Sequence, residues 1–270
     1  PFDAAVVRKE VARKLDAAKG FKGAKCFYAV GGAWRSLALV HMRLADYPLE
    51  ILHQYEMSAA DALDAARFIA RQSKGSLERI EGLSKKRVDA LPYAAVLLEA
   101  LVERLEFERV AISAFGLREG LVFDALPDAL KSEDPLVAGC AALGARQAIA
   151  EDLGQALETW LAPAVATLQP VFSANRDAVL MAAACRLADL GARLHPDHRA
   201  DLLFEQVLRA PISGMDHAER VFLACTAFAR HTAAVSVPEP DLVTRLLSHD
   251  RFQRALAMGS AIRLGCDLSG

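Results

Sequence analysis

The chain has 270 residues, 53% of them hydrophobic, with 32 basic and 34 acidic side chains for a net charge of -2. Such a chain can bury a sizeable core, which excludes collagen-like, disordered and disulfide-scaffold classes. The near balance of charge gives no global basic excess for nucleic acid or an anionic membrane. Charges such as Glu99, Arg186 and Asp189 break the apolar runs before the roughly 18 residues that a membrane span requires.

The first residue is Pro, and no signal-peptide pattern follows it, which points to a processed chain or a piece of a longer one. Cys26, Cys140, Cys185, Cys225 and Cys266 are odd in number and form no CxxC, so they read as reduced core residues of a cytoplasmic protein.

In chain order, Val7, Val11 and Leu15 recur every four residues and predict a helix over about 3–18. Residues 26–30 form a short apolar run ended by Gly31-Gly32, which reads as a buried strand. A helix is expected over about 33–44, broken by Tyr47-Pro48-Leu49. Ser58 and Asp61 resemble a capping start, with Leu63, Ala66 and Ile69 on one face of the helix that follows. Pro92 suits the first turn of a helix running to about Leu105. Residues 109–113 are a second short strand, followed at once by a Gly116 turn. Two buried strands separated by helices predict a parallel βα arrangement, with both glycine turns at the carboxyl ends where ligands collect.

The rest predicts helices only. They start near Pro135, at Ser173 (to about Gly191), at Pro196 (closed by Pro211), after Asp216 (to about His231), and after Pro238 and Asp250. The expected boundary between the mixed and all-helical parts lies near 127–134, giving domains 1–127 and 128–270.

Several segments then match a known family. Residues 30–38 (Val30-Gly31-Gly32-Ala33-Trp34-Arg35-Ser36-Leu37-Ala38) resemble its GGT-x-R-x-x-A segment, with Ala33 in place of Thr. Tyr47-Pro48-Leu49, the run from Gly82 to Arg87, and the run from Ser113 to Gly120 follow in its order and spacing. On these residues the chain resembles the exopolyphosphatase and guanosine-pentaphosphate phosphohydrolase (Ppx/GppA) family.

The resemblance implies a mainly α chain with a small α/β part. Residues 1–127 would be the late part of the second lobe of an actin/Hsp70/sugar-kinase-like fold, and 128–270 an HD-related helical domain. It also implies release of terminal phosphate from polyphosphate or guanosine pentaphosphate, with a divalent metal such as magnesium in the full-length enzyme. The catalytic Glu is expected upstream, so this piece alone is expected to be inactive and to bind no metal itself.

Four residues stand out as phosphate or nucleotide ligands. Gly31 and Gly32 let backbone N–H groups approach an anion at a helix start, and Arg35 and Arg118 can match phosphate oxygens bidentately. A basic stretch (Arg8, Lys9, Arg13, Lys14, Lys19, Lys22, Lys25) and Lys85-Lys86-Arg87 are candidate guides for a polyanion. In the helical part, Asp189 follows Ala188 where an HD site has His, so no metal is expected there with His195, His198, His217 or His231. The other function class is a non-catalytic module for homodimerisation or for nucleotide or polyanion binding; Phe204, Phe222, Phe228 and Phe252 are the aromatic anchors to check at a dimer interface, although each taken singly is better read as filling the bundle core. Neither nucleic acid nor membrane is expected as a partner.

Overall fold

A computed structural model describes residues 2–17, 24–145, 150 and 152–269. They divide into two compact units, Pro1–Ala125 and Leu126–Gly270. The protein is mainly helical, with one three-stranded sheet in the first unit.

The first unit runs α1 (Ala4–Ala17), β1 (Cys26–Val30), α2 (Gly32–Leu44), β2 (Glu56–Ser58), α3 (Ala59–Ala70), α4 (Lys74–Glu78), α5 (Lys85–Val88), α6 (Leu91–Leu105), β3 (Arg109–Ser113) and α7 (Leu117–Asp124). The two expected strands are neighbours and parallel, in register from Cys26 opposite Arg109 to Val30 opposite Ser113, but only β3 is buried as expected: β1 lies at the sheet edge and buries Ala29 alone. The sequence reading did not include β2, which adds antiparallel to the other edge of β3 and gives the order β1-β3-β2. With only three residues and one buried side chain, Met57, β2 carries too little alternation to be read as a strand. It ends at Ser58, whose hydroxyl accepts from the Asp61 N–H at 3.1 Å and caps α3.

Leu37, Ile69, Leu77, Leu91, Leu98 and Ile112 are fully buried and join the sheet to α2, α3 and α6. The Val7, Val11 and Leu15 face of α1 is half-buried, and the helix is tied down by Arg8, whose guanidinium donates to the buried Glu99 at 2.7 Å. Glu99 also accepts from Arg67 at 3.3 Å, so this inward carboxylate is paired twice.

The second unit holds α8 (Asp128–Lys131), α9 (Pro135–Ala145), α10 (Leu153–Ala166), α11 (Ala174–Arg186), α12 (Pro196–Leu208), α13 (His217–His231), α14 (Pro240–Leu246) and α15 (His249–Ser269). α10 was not anticipated. α11 stops at Arg186, short of Gly191, where a succession of turns replaces the helix. α13 is the central helix, packed between α12 and α15. Asp216 and Glu219 form a reciprocal capping box at its start. The buried Arg220 donates to the carbonyls of Leu208, Ala210 and Ile212, satisfying the end of α12 and the loop beyond it.

Burial sorts the phenylalanines and the cysteines. Phe204, Phe222 and Phe228 fill this unit's own core, at 0%, 1% and 3% exposure, which agrees with the reading favoured for each alone and not with the interface one. Of the five free cysteines, Cys140, Cys185 and Cys225 are buried, whereas Cys26 and Cys266 are only half-buried. Burial pushes the three core thiols up to about 12, which keeps them unreactive.

Candidate anion site at the strand ends

β1 and β3 are parallel and adjacent, so their carboxyl ends lie side by side and both glycine turns fall at one end of the sheet. Gly31 caps α2 with φ 128° and ψ 167°, a conformation that L side chains rarely adopt. Gly32 then opens the helix beneath an arginine. A Cβ built on Gly32 would stand 2.5 Å from the Arg87 Cζ. The Arg87 guanidinium donates to the Gly32 carbonyl at 3.4 Å, and the Ser36 hydroxyl donates to the same oxygen at 3.1 Å. Arg35 lies in the first turn of α2, and its Nε is buried with no hydrogen-bond partner among the described residues.

At the end of β3 the chain turns through Ala114 and Phe115 into α7, capped at Gly116. The Glu119 carboxylate reaches back to accept the Gly116 N–H at 2.7 Å. The Gly116 amide first, then its own amide, with Arg118 and Arg35 adding attraction, hold the Glu119 carboxyl below its usual range. One carboxylate therefore feels both arginines. A Cβ on Gly116 would lie 3.8 Å from Val30 Cγ1, which brings the α7 start against the end of β1.

The structure thus brings Gly31, Gly32, Arg35 and Arg118 to the same end of one sheet. Sequence reasoning missed three companions. In the sequence Arg87 belongs to the segment from Gly82 to Arg87 and its basic run, and its approach to a glycine 55 residues away has no local signal. Glu119 was legible in principle, since Gly-x-x-Glu is a capping spacing. His53, whose Nδ1 accepts the Ala114 N–H at 3.3 Å, stands in a loop with no periodicity to mark it.

Chemically, the arrangement suits binding of an anion more than bond cleavage. Two helix starts and three guanidinium groups favour phosphate oxygens. Its carboxylate, Glu119, is engaged by backbone N–H groups and held ionised, which suits a counter-ion better than a general base.

Much of the N-terminal basic stretch is paired. Arg13 bonds Glu10 at 2.6 Å, and Lys25 lies 3.7 Å from Glu108, alongside the Arg8–Glu99 pair. Lys19 and Lys22 lie outside the described residues.

The helical unit's histidines are dispersed. Asp189 accepts the Ala150 N–H at 3.1 Å, the His195 and His198 rings are 5.9 Å apart, and the His231 Nε2 meets the Leu190 carbonyl at 3.2 Å. Among the described residues no group of three or more His, Cys, Asp or Glu has an arrangement fit to hold a metal ion. No helix among them is long and apolar enough to cross a membrane.

Comparison with known proteins gives two tandem matches. Residues 3–129 match a family model described as the Ppx/GppA phosphatase family, and residues 143–270 match one described as exopolyphosphatase, C-terminal. The chain therefore matches both family models, where the sequence reading placed it in the C-terminal half of the family's chain. Among solved structures it is similar to a crystal structure of an exopolyphosphatase-like protein, at 18% identity and a TM-score of 0.42. That match covers 47% of this chain and 42% of the other, so the chain spans less than half of that protein's length. No curated protein matches the chain.

Proposed function

The chain belongs to the Ppx/GppA phosphatase family, and on that premise we propose that it is part of a hydrolase releasing terminal phosphate from inorganic polyphosphate or guanosine pentaphosphate. In this reading the first unit is the late part of the second lobe of an actin/Hsp70/sugar-kinase-like fold. The second is an HD-related helical domain that joins two copies in a homodimer. One observation carries the functional part: the Gly31-Gly32 turn lies beneath Arg87 at one strand end, and the Gly116 turn at the end of the neighbouring parallel strand opens the helix that carries Arg118.

The chain's contribution is to bind and orient. Phosphoryl transfer to water depends on positioning and charge neutralisation rather than on covalent help. Arg35, Arg87 and Arg118 would spread positive charge around the oxygens of the phosphate chain. The amides at the starts of α2 and α7 would hold it without side-chain bulk at Gly31 and Gly32. Displacement of Glu119 by the incoming anion would free the Gly116 N–H.

A divalent metal such as magnesium belongs to this family's chemistry. A site for it needs carboxylates to share with substrate phosphates, and the described residues of this chain contain no such set. The residues described do not fit a metal centre.

The test is binding and turnover by the purified 270-residue chain. Calorimetry with tripolyphosphate should show binding that an Arg35→Ala, Arg118→Ala double variant loses by at least about tenfold, one charge-assisted hydrogen bond being equivalent to roughly that factor. No phosphate release is expected with magnesium and polyphosphate. Absence of binding by the unmodified chain would overturn the anion site, and rapid turnover would overturn the division of labour.

A further inference from the structure

His53 lies between α2 and β2, far in sequence from the turn that it touches. Its Nδ1 accepts the Ala114 N–H at 3.3 Å across 61 residues, and its ring sits 4.6 Å from that of Phe115. An Nδ1 that accepts fixes the neutral ring as the Nε2–H tautomer, with Nε2 withdrawn from solvent.

The loop that carries His53 is itself anchored to β3. Gln54 donates its N–H to the Ile112 carbonyl at 2.8 Å. It does so with φ 61°, a left-handed conformation that a non-glycine residue keeps only when its surroundings hold it there. From the other side, the Ser113 hydroxyl accepts the Phe115 N–H at 3.1 Å and donates to the Phe115 carbonyl at 3.0 Å. The 113–116 turn is thus clamped by a serine within it and a histidine from outside. That turn sets the direction in which α7 leaves the sheet, and with it the position of Arg118 and the amides at the helix start.

We propose that His53 is a positioning residue for the anion site: by accepting the Ala114 N–H it fixes the 113–116 turn, and so aims Arg118 and the start of α7 at bound phosphate. The proposal rests on the anion-site reading above. It makes the acceptor at the Nδ1 position, not the ring as filler, the element that matters. A site held to within about half an ångström needs such support from behind its contact residues.

Three variants of the full chain separate the roles. His53→Asn places an amide oxygen near the Nδ1 position and keeps the acceptor. His53→Gln offers its oxygen nearer the Nε2 position, and His53→Ala offers none. Amide hydrogen exchange at Ala114, read by NMR, should quicken in the Ala and Gln variants and stay slow in the Asn variant. The dissociation constant for tripolyphosphate should rise by about tenfold in Ala and Gln, and by no more than about threefold in Asn.

Equal weakening by Asn and Ala would assign the effect to ring packing on Phe115 and overturn the proposal. So would unchanged affinity in a folded Ala variant. If Ala fails to fold, the Asn and Gln pair decides the same question. If the unmodified chain binds no tripolyphosphate, the anion site and the aiming role fall together, while exchange at Ala114 still shows whether His53 holds the turn.

Discussion

Glycine serves opposite purposes in the two units. In the helical unit Gly259 removes bulk. It lets α15 approach α13 so closely that a Cβ would stand 2.3 Å from the Thr226 carbonyl oxygen. In the α/β unit Gly31 supplies a conformation, and Gly32 makes room for a guanidinium. Apolar side chains divide in the same way. Nearly all of α13 is buried, whereas β1 leaves Tyr28 and Val30 exposed, and α7 turns Leu117, Leu121, Val122 and Phe123 to solvent. The helical unit uses its sequence to close an interior. The α/β unit uses part of its sequence to keep backbone and charge available at a surface.

The contrast breaks hardest in the helical unit. Replacing Arg220 by Met keeps most of its volume but leaves the Leu208, Ala210 and Ile212 carbonyls without their donor. A loss of about 4 kcal/mol is expected from denaturant unfolding of that unit, since each buried orphan costs about 1–3 kcal/mol. Gly259→Ala should cost about 3 kcal/mol, because it meets backbone of Thr226 and Arg230 and the Ala229 Cβ, none of which can swing away. Calorimetry should place that loss in the transition of the second unit alone. A smaller cost, about 2 kcal/mol, is expected for Gly31→Ala in the first unit, where strain at φ 128° replaces overpacking. If Gly31→Ala proved as costly as Gly259→Ala, the distinction between a conformational and a packing glycine would fail.

The mildest probe is pH. Burial first, and then the charge of Arg230, lower the His231 pKa from 6.5 to about 4, and the neutral ring donates to the Leu190 carbonyl. Between those two values the unfolded chain binds the proton more readily than the folded one, so stability rises with pH across that window. The contribution is complete above about 6.5 and is lost progressively as pH falls toward 4. Melting temperatures of the second unit measured from pH 7 down to 4.5 should decline more steeply in the native chain than in His231→Gln, whose amide N–H keeps the Leu190 bond. Parallel slopes would show that His231 carries no proton linkage.

The strands and many of the helix starts were legible because their signals are short-range. A five-residue apolar run ended by glycine marks β1. Ser58, Ser173 and Asp216 each accept an N–H three residues on, so their caps are written within four residues of sequence. The site was half legible for the same reason. Gly31, Gly32 and Arg35 adjoin one strand end and Arg118 follows the other, and the rule that ligands gather at carboxyl ends of parallel strands joins them.

By itself, then, the sequence determined the parallel pair, most helix starts, and the four residues at the strand ends, because capping, turn conformation and apolar periodicity act over a few residues. Only the tertiary structure decided that a three-residue β2 completes the sheet, that Arg87 lies over Gly32, and that His53 grips Ala114. It also decided between the two readings of the phenylalanines, since Phe204, Phe222 and Phe228 fill the core of the helical unit. Those contacts join positions dozens of residues apart. They are selected by how whole elements pack, since no local preference of a lone arginine, histidine or phenylalanine specifies which distant surface it will meet.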